Sequence, residues 1–202
     1  MNVQDEFDGI DIYLFDQLLK GRIGPGDRVL DAGCGSGRNL SYLLRSGIDV
    51  SATDVNPHAI EEVRQLAARL APSQPADSFR VEPVEQPSFP DASFSVVLSS
   101  AVLHFAADDE QFDAMLTGMW RVLAKGGMLF ARLATSIGLD AASLKPLGNR
   151  RFTLPDGSHR YLADQQMLLE RTARLGGQLL DPLKTTLVQD QRSMTTWVLR
   201  KA

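Results

Sequence analysis

Cysteine is almost missing from this chain: Cys34 is the only one in 202 residues, which excludes an internal disulfide and any multi-cysteine zinc site. Long apolar runs are missing too, since none approaches the roughly 20 residues that a membrane-spanning helix needs. The opening stretch MNVQDEFDGIDIYLF is acidic where a secretory signal would be basic. Nor is there an excess of positive charge. With 21 Lys and Arg against 25 Asp and Glu, the formal net charge is -4 and the isoelectric point lies near 5.4, so no global field would gather nucleic acid or anionic lipid. Repeats and low-complexity tracts are lacking, and APSQPADS at 71–78 is the only linker-like stretch. The expectation is a soluble, cytoplasmic protein with no metal, nucleic-acid or membrane partner. Its length and 44% hydrophobic content suit one domain over residues 1–202, held by its core alone.

What is present alternates in period. Residues 10–20 place Ile12, Phe15, Leu18 and Leu19 on one helical face before GRIGPGD breaks the helix. Short apolar stretches bounded by Gly, Pro or Asp follow at 27–32, 48–54, 79–84, 93–100 and 127–134, and read as strands. Between them, NPHAIEEVRQLAARLA opens on Asn56 as a cap and Pro57 in the first turn, with Ile60, Val63, Ala67 and Leu70 as its apolar stripe. In DEQFDAMLTGMWRVLAKGG, residues Phe112, Met115, Leu116, Met119, Trp120 and Leu123 repeat as a core-facing helix does, and Gly126 is its expected end. After a helical pattern over 161–177, two extended runs at 179–189 and 192–201 flank a short polar turn at Asp190, which favours an antiparallel hairpin. Such alternation implies an α/β fold: a mostly parallel sheet with helices on both faces and an antiparallel pair at one edge.

The stretch LDAGCGSGRN puts Gly33, Gly35 and Gly37 where the first strand passes into the first helix, outside the carboxyl ends of the strands, where parallel sheets bind ligands. A backbone without side chains there lets N–H groups approach a ligand closely. Asp54 closes the second strand about twenty residues beyond the first glycine, where a carboxylate can take both hydroxyls of a ribose. Asp31, two residues before Gly33, suits a ligand carrying positive charge. The dinucleotide fingerprint reads G-x-G-x-x-G, and here the spacing is G-x-G-x-G. A nucleoside with a cationic amino acid end therefore fits better than a dinucleotide, which disfavours a dehydrogenase.

On these residues the chain resembles the class I S-adenosylmethionine-dependent methyltransferases. VLDAGCGSGRN resembles the family's first motif, VSATDVNPHAI its second, FPDASFSVVLSSAVLHF its fourth-strand motif, and RVLAKGGMLF the segment entering the fifth strand. SGRN is also similar to the branch of tellurite and thiopurine methyltransferase-like proteins, beside the type 11/12 methyltransferases. The resemblance implies a Rossmann-like seven-stranded sheet in the order 3-2-1-4-5-7-6 with the seventh antiparallel, S-adenosyl-L-methionine as cofactor, and a small-molecule acceptor. It further implies that Asp31 and the loop Gly33, Cys34 and Gly35 hold the methionine end, with Arg38 capping the loop or beginning the helix. Asp54 would bind the ribose and Val55 would border the adenine. Where the family often carries an acidic residue after the third strand this chain has Pro83, leaving the Val84 backbone with Glu85 for adenine. Ser99 and Ser100 would border the sulfonium, and residues 1–24 would form a lid whose Tyr13 closes over the cofactor. A non-catalytic protein that binds S-adenosylmethionine or S-adenosylhomocysteine is the alternative reading.

Methyl transfer from a sulfonium is an in-line displacement of an already activated group. Alignment can supply roughly 7–11 kcal/mol, and a general base is optional. His104, after the fourth strand, is the candidate for contacting substrate or acting as base; an imidazole bonded to a neighbouring loop is the plainer alternative. Residues 135–160 read as a substrate-side insertion carrying Lys145, Arg150, Arg151, His159 and Arg160 against Asp140 and Asp156. Either this is a solvated loop, or Arg150, Arg151, His159 and Arg160 bind an anionic acceptor. Monomer and homodimer both stay open.

Overall fold

The computed structural model describes residue 2, residues 6 and 7, and residues 9–202; residues 1, 3–5 and 8 of the expected lid lie outside the described residues. Short polar side chains start the longer helices by accepting otherwise unpaired amides. Asp11 takes the Tyr13 N–H at 2.9 Å and opens α1 (Ile12–Leu19). Asn56, followed by Pro57, takes that of His58 at 3.0 Å and opens α3 (Pro57–Leu70). Asp108 caps α4 (Asp109–Val122) through Gln111, and Asp164 caps α5 (Gln165–Arg174) through Met167, both at 2.8 Å. The short α2 (Ser41–Arg45) follows the glycine loop without a side-chain cap.

Five strands run parallel in the order β3 (Phe79–Val81), β2 (Asp49–Asp54), β1 (Arg28–Ala32), β4 (Phe94–Ser100), β5 (Leu123–Ala134). β11 (Arg192–Lys201) lies antiparallel against β5, with Val198 opposite Phe130. Both β9 (Gly177–Leu179) and β10 (Lys184–Val188) lie antiparallel against β11. The fold is thus the expected Rossmann-like sheet with a reversed strand beside β5. Its sixth strand is split in two around Pro182, whose missing N–H cannot continue a ladder. Strand alternation feeds two cores. Leu30, Val97, Leu129 and Trp197 pack against α4 and α5 on one face, whereas Val29, Leu98, Phe130 and Val198 pack with α1, α2 and α3 on the other.

Two boundaries differ from the sequence expectation. The helix read through to Gly126 ends at Val122, because Leu123 already pairs with Phe94. Gly126, with φ +79°, and Gly127 then form a bulge before Met128 joins Val96. Residues 135–160 form structure rather than loop: β6 (Lys145–Gly148), β7 (Arg151–Thr153) and β8 (His159–Tyr161) make a small antiparallel sheet. Tyr161, expected in a helix, ends β8 fully buried; its ring stacks on Phe112 with centroids 5.2 Å apart and its hydroxyl donates to Asp109 at 2.8 Å. Among the described residues no helix is long and apolar enough to cross a membrane.

Candidate active site

The carboxyl ends of β1, β2 and β4 open onto a cavity of about 810 Å³. Its floor is the glycine loop. Gly33 and Cys34 donate to the Thr53 carbonyl at 2.8 and 3.0 Å, tying the loop to β2. At Gly33, with φ +81°, a Cβ would come within 2.5 Å of the Val102 side chain, so glycine is required both by conformation and by space. A Cβ at Gly35 would meet nothing within 4 Å: its backbone faces open space. Asp54 is held towards this loop by the amides of Gly35 and Asn56, each 2.9 Å from one of its oxygens.

Asp31 lies behind the loop, 1% exposed, and its Oδ2 has no hydrogen-bond partner. Burial pushes its carboxyl up to about 7, opposed by the Arg38 charge and reinforced by Asp54. A buried carboxylate oxygen without a partner is costly, and the group is relieved either by keeping its proton or by meeting a cation. Ser99 is also buried with an unpartnered hydroxyl, while Ser100 accepts from Arg38 at 3.0 Å and donates to Asp11 at 3.2 Å.

The structure brings Gly33, Cys34, Gly35, Arg38, Asp54, Val55, Val84, Glu85, Ser100, His104 and Arg160 onto one cavity wall. Cys34 is a thiol whose titration burial pushes far up, so it carries no thiolate chemistry. Glu85 accepts from Gln111 at 2.8 Å, which links the Val84–Glu85 turn to α4.

Other expectations need correction. Tyr13 is not on the cavity wall: its hydroxyl bonds Thr186 on β10, and the Arg132 guanidinium lies 5.1 Å from its ring centre. The link between α1 and the cavity is Asp11, absent from the sequence reading. Its Oδ2 meets Arg132 at 3.2 Å and Arg38 at 3.5 Å, and its amide donates to Asn39 at 3.0 Å. Arg150, Arg151 and His159 also lie off the wall. Arg150 pairs with Asp164 at 2.8 Å and Asp109 at 3.5 Å. Arg151 and His159 stand in register with Tyr161 and Thr153, on the sheet face opposite Arg160. Arg192 and Met194, from β11, complete the wall instead. No local pattern marks those two, because a strand that closes the core also passes the cavity rim.

His104 is 4% exposed and its Nδ1 accepts the Ala134 amide at 3.1 Å. Burial, then the charges of Arg160 and Arg132, lower its titration to about 4. The neutral ring therefore carries its proton on Nε2 and has its lone pair engaged. It can donate a hydrogen bond to a ligand, but the geometry opposes the role of base.

Residues 30–131 match the family model described as "Methyltransferase domain". The chain belongs to that family. It is a member of the class I S-adenosylmethionine-dependent methyltransferases, the family whose cofactor is S-adenosylmethionine. This methyltransferase is 33% identical over 133 residues to the malonyl-[acyl-carrier protein] O-methyltransferase of Serratia marcescens, covering 65% of the chain and 46% of that protein. It is 38% identical over 118 residues to the eEF1A lysine and N-terminal methyltransferase of Bos taurus, covering 54% of the chain and 16% of that protein. The chain thus spans about half the length, or less, of these curated relatives. Among solved structures it is similar to the Burkholderia thailandensis 1,6-didemethyltoxoflavin-N1-methyltransferase with bound S-adenosylhomocysteine, with a TM-score of 0.69 and 20% identity over 99% of the chain and 85% of the other.

The open backbone at Gly35 and the oriented Asp54 carboxylate, both on the cavity wall, and the unpartnered Asp31 oxygen buried behind that wall fit this cofactor. When bound, S-adenosylmethionine supplies a methyl group activated by the sulfonium charge.

Proposed function

We propose that this methyltransferase is a cytoplasmic enzyme whose acceptor is a small, anionic molecule bound between the cofactor loop and the 135–160 insertion. Asp31 holds the ammonium of the methionine end, Asp54 the ribose hydroxyls, and Val55, Val84 and Glu85 border the adenine. Ser99 and Ser100 flank the methionine moiety, and α1 within residues 1–24 covers the site through Asp11. His104 donates from Nε2, and Arg160 binds the acceptor. One observation carries the reading: the cavity runs unbroken from Gly35 and Asp54 to Leu154 and Arg160 of the insertion, so cofactor and acceptor meet inside one wall. Holding the two in line and excluding water is then the main task of the protein. The insertion belongs to the same structural unit in this reading, its Thr135 bridging to Ala163 beside the main sheet.

A cell extract separated into small-molecule and macromolecular fractions tests the acceptor class. With methyl-labelled S-adenosylmethionine, label should appear in the small-molecule fraction; label confined to protein would overturn the reading. A merely cofactor-binding role has no observation in its favour, and turnover in this assay excludes it.

A further inference from the structure

Among the described residues, four arginines line the cavity: Arg38, Arg132, Arg160 and Arg192. The first two converge on Asp11. Among the described residues, neither Arg160 nor Arg192 has a carboxylate within ion-pair distance. Arg160 donates to its neighbour's carbonyl, His159 O, at 2.7 Å and lies 4.9 Å from the centre of the Phe105 ring. Asp156 shares the wall, yet it already accepts the Ser158 amide and hydroxyl at 2.9 and 2.6 Å. One such carboxylate against two guanidiniums leaves this end of the cavity positive.

Among the described residues, the same wall has no group suited to removing a proton from an acceptor. The His104 lone pair is taken by the Ala134 amide. Asp54 and Glu85 are held by Gly35, Asn56 and Gln111 on the nucleoside side. Asp156 is drawn below the usual carboxylate range by its Ser158 bonds and then by the charges of Arg192 and Arg160, which makes it a weak base. A nucleophile used here must arrive already deprotonated. At neutral pH carboxylates, phosphates and neutral ring nitrogens meet that condition, whereas phenols, thiols and ammonium groups do not; the guanidinium fork favours the anions. Phe105, 61% exposed, and Val188, 37% exposed, add an apolar rim, which favours a carboxylate on an apolar body.

We infer that the methyl acceptor is a carboxylate oxygen of an organic acid with an apolar body, held by Arg160 and Arg192 with Nε2 of His104 as a further donor. This rests on the small-molecule reading above. The carboxylate lone pair forms the new O–CH3 bond as the CH3–S bond breaks. The bonding pair stays on sulfur, which becomes a neutral thioether, and no proton moves. The methyl ester is uncharged, so its grip on the two arginines is lost and product leaves.

Calorimetry of the protein saturated with S-adenosylhomocysteine, titrated with octanoate, benzoate and adipate and with their amides, is the binding test. The acids should bind at least tenfold more tightly than the amides. The Arg160→Gln/Arg192→Gln double variant, whose changes sit at the exposed end of the wall, should lose that preference while keeping its affinity for S-adenosylhomocysteine. In turnover with methyl-labelled cofactor, mild alkali should release the label as volatile methanol, as it does from esters. An adipate mono-thioester of pantetheine separates a carrier-borne acid from a free one, and transfer to either supports the inference. Alkali-stable label, transfer to a phosphate monoester alone, or neither acid binding nor transfer while S-adenosylhomocysteine still binds would overturn it. Failure of S-adenosylhomocysteine itself to bind would instead remove the cofactor reading beneath it.

Discussion

At Asp31 the fold keeps a carboxyl out of water without a partner, and the pH dependence follows from that placement. Its ordinary value is 3.8 and its folded value is about 7, so the folded chain retains a proton that the unfolded chain releases. The stability this gives is present below 3.8 and lost as pH rises to about 7. Asp31→Asn should therefore stabilise the ligand-free protein relative to wild type as pH rises from 5 to 8, on the order of 2–4 kcal/mol, in urea titrations at each pH. The same change should abolish tight S-adenosylhomocysteine binding. Wild-type affinity should fall about tenfold per pH unit below 7, because the carboxylate must ionise to meet the ammonium; a flat profile between pH 5 and 7 would contradict the role given to Asp31. His104 is a second case. Replacing it by Leu strands the Ala134 amide, which should cost about 1–3 kcal/mol in denaturant unfolding.

Among the elements, α1 depends most on one residue. Asp11 caps the helix with one oxygen and gathers Arg38, Arg132 and Ser100 with the other. Asp11→Ala removes the cap and leaves Arg132 partly buried without its carboxylate, a loss of about 2–4 kcal/mol, seen as a lower urea midpoint and faster protease cleavage near residue 12. The cap itself is legible in sequence, since an aspartate precedes an amphipathic run. That its second oxygen spans three other elements is not, because those partners lie 27, 89 and 121 residues away. The small sheet of the insertion shows the same division. Asp156-Gly157 between extended flanks is a readable hairpin signal, and Asn149 and Arg150, both with positive φ, form its other turn. Reading the segment by its charges alone obscured both.

For the whole molecule, a ligand that binds only the folded state must raise its stability. At a hundred times its Kd, S-adenosylhomocysteine should add about 2.7 kcal/mol, a Tm increase of about 5–10 °C for a chain of this size. NAD should leave the Tm unchanged in the same scan, since the loop spacing offers no pyrophosphate cradle. Family, strand–helix alternation and the carboxylates at the ends of the first two strands were determined by the sequence itself, and the sheet order followed from the family resemblance. Strand and helix periodicity, caps and the Asp31 to Gly35 spacing act over a few residues, and they survive without knowledge of neighbours. Only the tertiary structure decided which cations face the cavity. Arg150 turns to Asp164, and Arg38 and Arg132 turn to Asp11, while among the described residues Arg160 and Arg192 have no carboxylate within ion-pair distance. The physical reason is that a charge in a strand goes where register and alternation point it. Arg151 and Arg160 differ by which face of one small sheet they occupy, and that face is set by Tyr161 burying its ring against Phe112.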